Sequence, residues 1–144
     1  MSAALLDGVA DVAAAADNPL LQHLAIRLVD IAAGRASFEL DVQPRHLNRQ
    51  RKLQGGVVAT LLDAACGYAG LVAADGDALG HAVTVTLNIN YLASAGVGRL
   101  RATGRVTRRG RSLYFASGEL VDSSGQLIAT AQGAFKRSAH PTEA

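Results

Sequence analysis

Hydrophobic and polar positions change period several times along this chain, and each change marks an element. Residues 2–16 are rich in Ala and Leu and read as helix. Asn18-Pro19 interrupts it, because proline disfavours the helical region in the residue before it. HLAIRLVDIAAGRASFELDV alternates roughly apolar and polar about Gly34, which predicts a hairpin. PRHLNRQRK is polar and reads as loop. From residue 55 to about residue 74 the period is helical with almost no polar face, and Gly76 falls at or after its C-cap. A helix apolar nearly all round is a buried one.

The rest predicts strands. Residues 81–92 set Val83, Val85, Leu87, Ile89 and Tyr91 on one face and Thr84, Thr86, Asn88 and Asn90 on the other. Residues 99–107, 113–121 and 127–136 are three more strands, separated by the glycine-bearing turns RRGRS and DSSGQ. The predicted order is helix, hairpin, long buried helix and a meander of four strands, an α+β class with an antiparallel sheet over one helix. So apolar a helix needs the sheet to wrap it and a second subunit to complete its burial.

Length and composition narrow the class. The 144 residues contain no repeat or low-complexity linker and are 49% apolar, which excludes a disordered chain. They divide into an N-terminal helical segment (1–18), a single domain (19–137) and a C-terminal tail (138–144). Cys66 is the one cysteine, so no disulfide framework exists and a reducing, cytoplasmic compartment is expected. Asp7, Asp11 and Asp17 precede the first basic residue, Arg27, the wrong charge pattern for a signal or transit peptide. No apolar run suits a bilayer span, so no membrane association is expected. A net charge of +2, 4% aromatic residues and no reading motif exclude nucleic acid as a partner.

Candidate chemistry gathers around residues 52–70, KLQGGVVATLLDAACGYAG. Gly55 and Gly56 stand where loop becomes helix, where backbone N–H groups lack internal partners and the helix dipole is positive. They form either a site for an anion or developing oxyanion, or simply a loop-to-helix corner. Asp63 lies among Leu61, Leu62, Ala64, Ala65 and Cys66, with no Lys or Arg within two helical turns. A carboxylate there is held by neighbouring hydroxyls or backbone, or works as base or nucleophile. Gly55 and Asp63 are eight residues apart, about 12 Å along a helix. Both can serve one reacting centre only from different subunits.

The remaining candidates are plainer. Cys66 reads as a small core residue. His23, His46, His81 and His140 lack metal-ligand spacing, so no metal is expected, and His46 reads as loop surface. Arg45, Arg49, Arg51 and Lys52, and the turn Arg108, Arg109 and Arg111, are either solvated charge or phosphate holders.

Asn48, QGG at 54–56, ATL at 59–61, Asp63, Gly67 and AVTVTLNINYL at 82–92 together resemble the PaaI-type hotdog-fold acyl-CoA thioesterases, from about residue 19 to residue 136. The resemblance implies a long helix wrapped by an antiparallel sheet, homodimers with a continuous sheet that pair into tetramers, and active sites at the dimer interface. Asp63 matches the family's general base or nucleophile, and the Gly55 N–H the donor that polarises the thioester carbonyl, with Gly56 beside it. Asn48 matches a residue that positions water or thioester, and Thr84 a hydroxyl near the reacting centre. Arg108, Arg109 and Arg111 match a turn that holds the nucleotide end of coenzyme A. Gln54 stands in the place of the family's catalytic His, where it can hydrogen-bond a carbonyl or water but cannot titrate; Arg51 stands where a glycine is usual. The expected function is hydrolysis of an acyl- or aroyl-CoA to free acid and coenzyme A, with no cofactor beyond the coenzyme A of the substrate. The alternative is a non-catalytic acyl-CoA or acyl-carrier binding protein; a hydratase of the same fold ranks last, since it would want an Asp–His pair.

Overall fold

A computed structural model of the chain describes residues 18–72 and 79–138. The predicted helix over residues 2–16, Gly76 and the last six residues of the tail lie outside the described residues. The elements are α1 (Pro19–His23), β1 (Arg27–Ala32), β2 (Arg35–Val42), a 3₁₀ turn (Pro44–His46), α2 (Gly55–Ala69), β3 (His81–Tyr91), β4 (Gly98–Arg109), β5 (Leu113–Asp122) and β6 (Leu127–Ser138). All strand pairs are antiparallel, in one six-stranded sheet. The α+β class and the helix-in-sheet hotdog arrangement are as expected.

α2 is the core's spine. Leu61, Leu62, Ala65, Cys66 and Ala69 are fully buried, and each buried Leu adds about 1.5–3 kcal/mol. The sheet meets the helix at unusually short range where Gly104 pairs with Gly118. A Cβ on Gly104 would lie 2.2 Å from the Ala65 carbonyl oxygen, and one on Gly118 2.8 Å from the Cys66 sulfur. Small residues on the strands therefore set how closely Asp63's helix approaches the sheet.

Three expectations need correction. α2 ends at Ala69, five residues early, because the Tyr114 ring fills the space a residue-70 side chain would take. Gly70 fits there, and its N–H bonds the Gly67 carbonyl, tightening the last turn. The last four strands are not a meander: the sheet order is β1-β2-β4-β5-β6-β3, so β3 pairs with β6 at the far edge and β4 with β2. α2 crosses the sheet between β2 and β3 and delivers β3 to the opposite edge.

The third correction concerns the faces of β3. Thr84 stands opposite Phe135 and Thr86 opposite Ala134, so Val85 is the extra residue of a β-bulge. Alternation reverses there. Ala82 and Thr84 before the bulge, and Leu87, Ile89 and Tyr91 after it, face the helix. Thr84 is therefore on the same face as Leu87, Ile89 and Tyr91, not the opposite one.

Candidate active site

Asp63 lies midway along α2, half-buried in a cleft of about 200 Å³ whose lining mixes Asn18 and Thr60 with Leu20, Tyr68, Ala82 and Phe135. The Thr84 hydroxyl donates to Asp63 Oδ1 at 2.7 Å. Oδ2 has no bond, and no cation pairs with the carboxylate, among the described residues. A carboxylate anchored through one oxygen, with the other without a bond, can accept a proton from water or attack a carbonyl carbon. Cys66, one turn on, is buried core as expected. Burial, and then the charge of Asp63, push its thiol up to about 12, so it offers no nucleophile at neutral pH.

The start of α2 presents the complementary chemistry. No side chain caps it, and the N–H groups of Gly55 and Gly56 have no partner among the described residues. The space beside Gly56 is open within 4 Å. Gln54 is exposed, its backbone N–H bonded to the His46 carbonyl at 2.9 Å. Asn48 Oδ1 accepts from the backbone N–H groups of Gln50 at 2.9 Å and Lys52 at 3.1 Å. Those two bonds fix which end of the amide is oxygen, and they leave Nδ2 without a protein partner among the described residues. Asn48 thus offers a fixed N–H donor beside the helix start.

His46 departs from the expectation of loop surface: it is fully buried. The Gln43 N–H donates to its Nδ1 at 2.9 Å, so Nδ1 bears no proton and Nε2–H donates to the Leu24 carbonyl at 2.8 Å. This neutral ring ties α1 to the loop bearing Asn48 and Gln54. A polar loop, PRHLNRQRK, gave no signal for it, because burial comes from packing under α1.

Arg108 and Arg109, the last residues of β4, and Arg111, in the turn to β5, are exposed and have no ion pair among the described residues. Arg109 pairs in register with Tyr114, whose hydroxyl donates to the Gly67 carbonyl, so this end of β4 lies toward the C-terminal end of α2. Arg137 joins it unannounced by the sequence: its guanidinium lies 4.9 Å from the Tyr114 ring centre and bonds the Gly110 carbonyl at 3.2 Å. Within one chain, then, Asp63 and Thr84 form one group, Asn48, Gln54, Gly55 and Gly56 another, and the arginines gather about Tyr114. Since α2 is continuous from Gly55 to Ala69, the two groups stand about 12 Å apart along it. Among the described residues no cluster of three His, Cys, Asp or Glu could hold a metal, and no helix is long and apolar enough to cross a membrane.

Comparison with known proteins gives the family and the fold. The family model described as thioesterase superfamily matches residues 53–129. Human acyl-coenzyme A thioesterase 13 is 36% identical over 106 residues, covering 72% of this chain and 74% of the relative. The crystal structure of zebra fish thioesterase superfamily member 2 is 30% identical with TM-score 0.74, covering 88% of this chain and 91% of that one. The PaaI protein of the E. coli phenylacetic acid degradation operon shares the fold at TM-score 0.77 and 23% identity, covering 90% and 91%.

Proposed function

Because the chain belongs to the thioesterase superfamily, we propose that it hydrolyses an acyl- or aroyl-CoA to the free acid and coenzyme A. The observation behind this is Asp63: a carboxylate that, among the described residues, has no cation and one free oxygen in a cleft, on a helix whose first N–H groups also lack partners among those residues. Water attacks the thioester carbonyl carbon as Asp63 takes its proton. The carbonyl oxygen, now negative, is received by the Gly55 N–H with Gly56 beside it, and the Asn48 amide orients water or thioester. Collapse breaks the C–S bond and expels the coenzyme A thiolate, which then takes up the proton. A thiol pKa of about 8.5 makes the thiolate a leaving group that needs no strong acid, which suits Gln54 in place of a titratable residue. Direct attack by Asp63 through a mixed anhydride uses the same groups.

The two halves of the site meet in a homodimer. β3 is an edge strand of eleven residues, with Val83, Val85 and Tyr91 more than half exposed. An edge of that length, with exposed apolar side chains and no strand paired to its outer side among the described residues, favours pairing with a second strand. Pairing β3 with β3 of a second copy continues the sheet and brings Gly55 of one chain to Asp63 of the other. Arg108, Arg109, Arg111 and Arg137 are suited to the phosphates of coenzyme A.

Thiol release from a panel of acyl-CoA esters tests the proposal. Wild type should turn over at least one, and Asp63→Asn should lower kcat by about 10²-fold or more while remaining folded. Tight binding of the esters without any thiol release would favour the non-catalytic binding protein instead.

A further inference from the structure

β3 touches α2 at both of its working points. Thr84 grips Asp63, and seven residues later the Tyr91 hydroxyl donates to the Gly55 carbonyl at 2.8 Å. A Cβ built on Gly55 would meet the Tyr91 ring at 3.6 Å, ordinary contact, so the ring rests against the first residue of the helix. That residue needs holding. Two successive glycines open α2 without a side-chain cap, and glycine has the widest backbone freedom of any residue. The first turn of a helix also has the fewest internal bonds.

We propose that Tyr91 is a positioning residue for the oxyanion-binding end of α2: its hydroxyl fixes and polarises the peptide joining Gly55 to Gly56. The proposal rests on the thioesterase reading above. The carbonyl that Tyr91 binds belongs to the peptide whose nitrogen is that of Gly56. A hydrogen bond at that oxygen draws electron density from the nitrogen and makes the Gly56 N–H a stronger donor, as bonds in chains strengthen one another. It also holds Gly55 in its helical conformation, which keeps the Gly55 N–H aimed outward. Donors set before substrate arrives lower the barrier because nothing reorganises as the charge forms. Leu53, just before the helix, is tied from the same side, its N–H bonded to the Ala95 carbonyl at 2.8 Å beyond the end of β3. Edge strand and following loop together brace the start of α2.

Tyr91→Phe keeps the ring and removes only the hydroxyl. Losing an oxyanion donor outright costs 10²–10³ in kcat, so losing the group behind it should lower kcat roughly tenfold. KM should stay within about twofold, the signature of an interaction made in the transition state. Two controls separate positioning from structure: the thermal midpoint, and affinity for a thioether analogue of the substrate that lacks the carbonyl; both should be unchanged. A fall in either that accounts for the lost activity would make Tyr91 structural and overturn the proposal. A wild-type enzyme silenced by Asp63→Asn but indifferent to Tyr91→Phe would overturn the Tyr91 role and leave the thioesterase reading standing. A wild type that releases no thiol from any ester would overturn both.

Discussion

Arg51 adopts φ 64°, the left-handed conformation, at the position where the resembling family has a glycine. An L-residue there costs about 1–2 kcal/mol. The loop forces it: Asn48 Oδ1 takes the N–H groups of Gln50 and Lys52 on either side, and the Arg51 N–H bonds the Asn48 carbonyl at 3.0 Å. The backbone that aims the Asn48 amide is therefore kept although the residue suited to it is missing. Arg51→Gly should relieve that strain and return part of it as glycine's extra freedom when unfolded, about 0.5–1 kcal/mol. The expected result is a net gain of about 0.5–1 kcal/mol in chemical denaturation, with kcat unchanged within a few-fold. A loss of stability on this substitution would show that the Arg51 side chain holds the loop by contacts of its own.

At the scale of elements, what could be read from the sequence was what neighbours in the chain decide. The hairpin about Gly34 formed as expected, and Gly34 has φ 83°. β4, β5 and β6 extend the predicted strands by one or two residues at most of their ends, because alternation and turn chemistry are local signals. The residues set by distant contacts were hidden. Gly70 ends α2 because Tyr114 occupies its side-chain space, and β3 joins β6 rather than β4 through a crossover no local pattern encodes. The bulge at Val85 was equally silent, yet it turns Thr84 toward Asp63 and so completes the candidate site. Asp63 and the glycines were legible because a lone acid and a GG pair are anomalies in an apolar helix; Tyr91 read only as one more apolar strand position. The bulge makes an unusual prediction. Removing one residue from mid-strand normally slips the register and turns every later side chain over. Val85 is the supernumerary residue, so its deletion leaves Thr84 opposite Phe135 and facing the helix. Deleting Val85 should cost about 1–2 kcal/mol and keep cooperative unfolding, whereas deleting Ile89 should abolish it. Equal damage from the two deletions, measured by thermal unfolding, would refute the bulge assignment.

For the whole molecule, the decisive relation is the distance between the start of one helix and its middle. Asp63 stands eight residues beyond Gly55 on an unbroken α2, about 12 Å, whereas catalytic contacts are about 3 Å. A site using both must draw one from each subunit of the proposed dimer, and two inactive variants can show it. Gly55→Pro deletes the N–H at the first helical position, where proline is tolerated. Gln54, the residue before it, already has φ −64° and ψ 135°, the extended conformation that proline requires of its predecessor. The ring's Cβ would meet Tyr91 only at 3.6 Å. Asp63→Ala deletes the acid. Each homodimer should be inactive, since every site in it lacks one of its two groups. In a mixed dimer one site bears both defects and the other bears neither. Random exchange places half of the protein in mixed dimers with one working site in two, so about a quarter of wild-type activity should return. If Gly55 and Asp63 served the same site from one chain, every site in the mixture would remain broken. A mixture that stays inactive after mass measurement has confirmed subunit exchange would therefore eliminate the shared site, and with it the proposal that Gly55 and Asp63 act on one thioester.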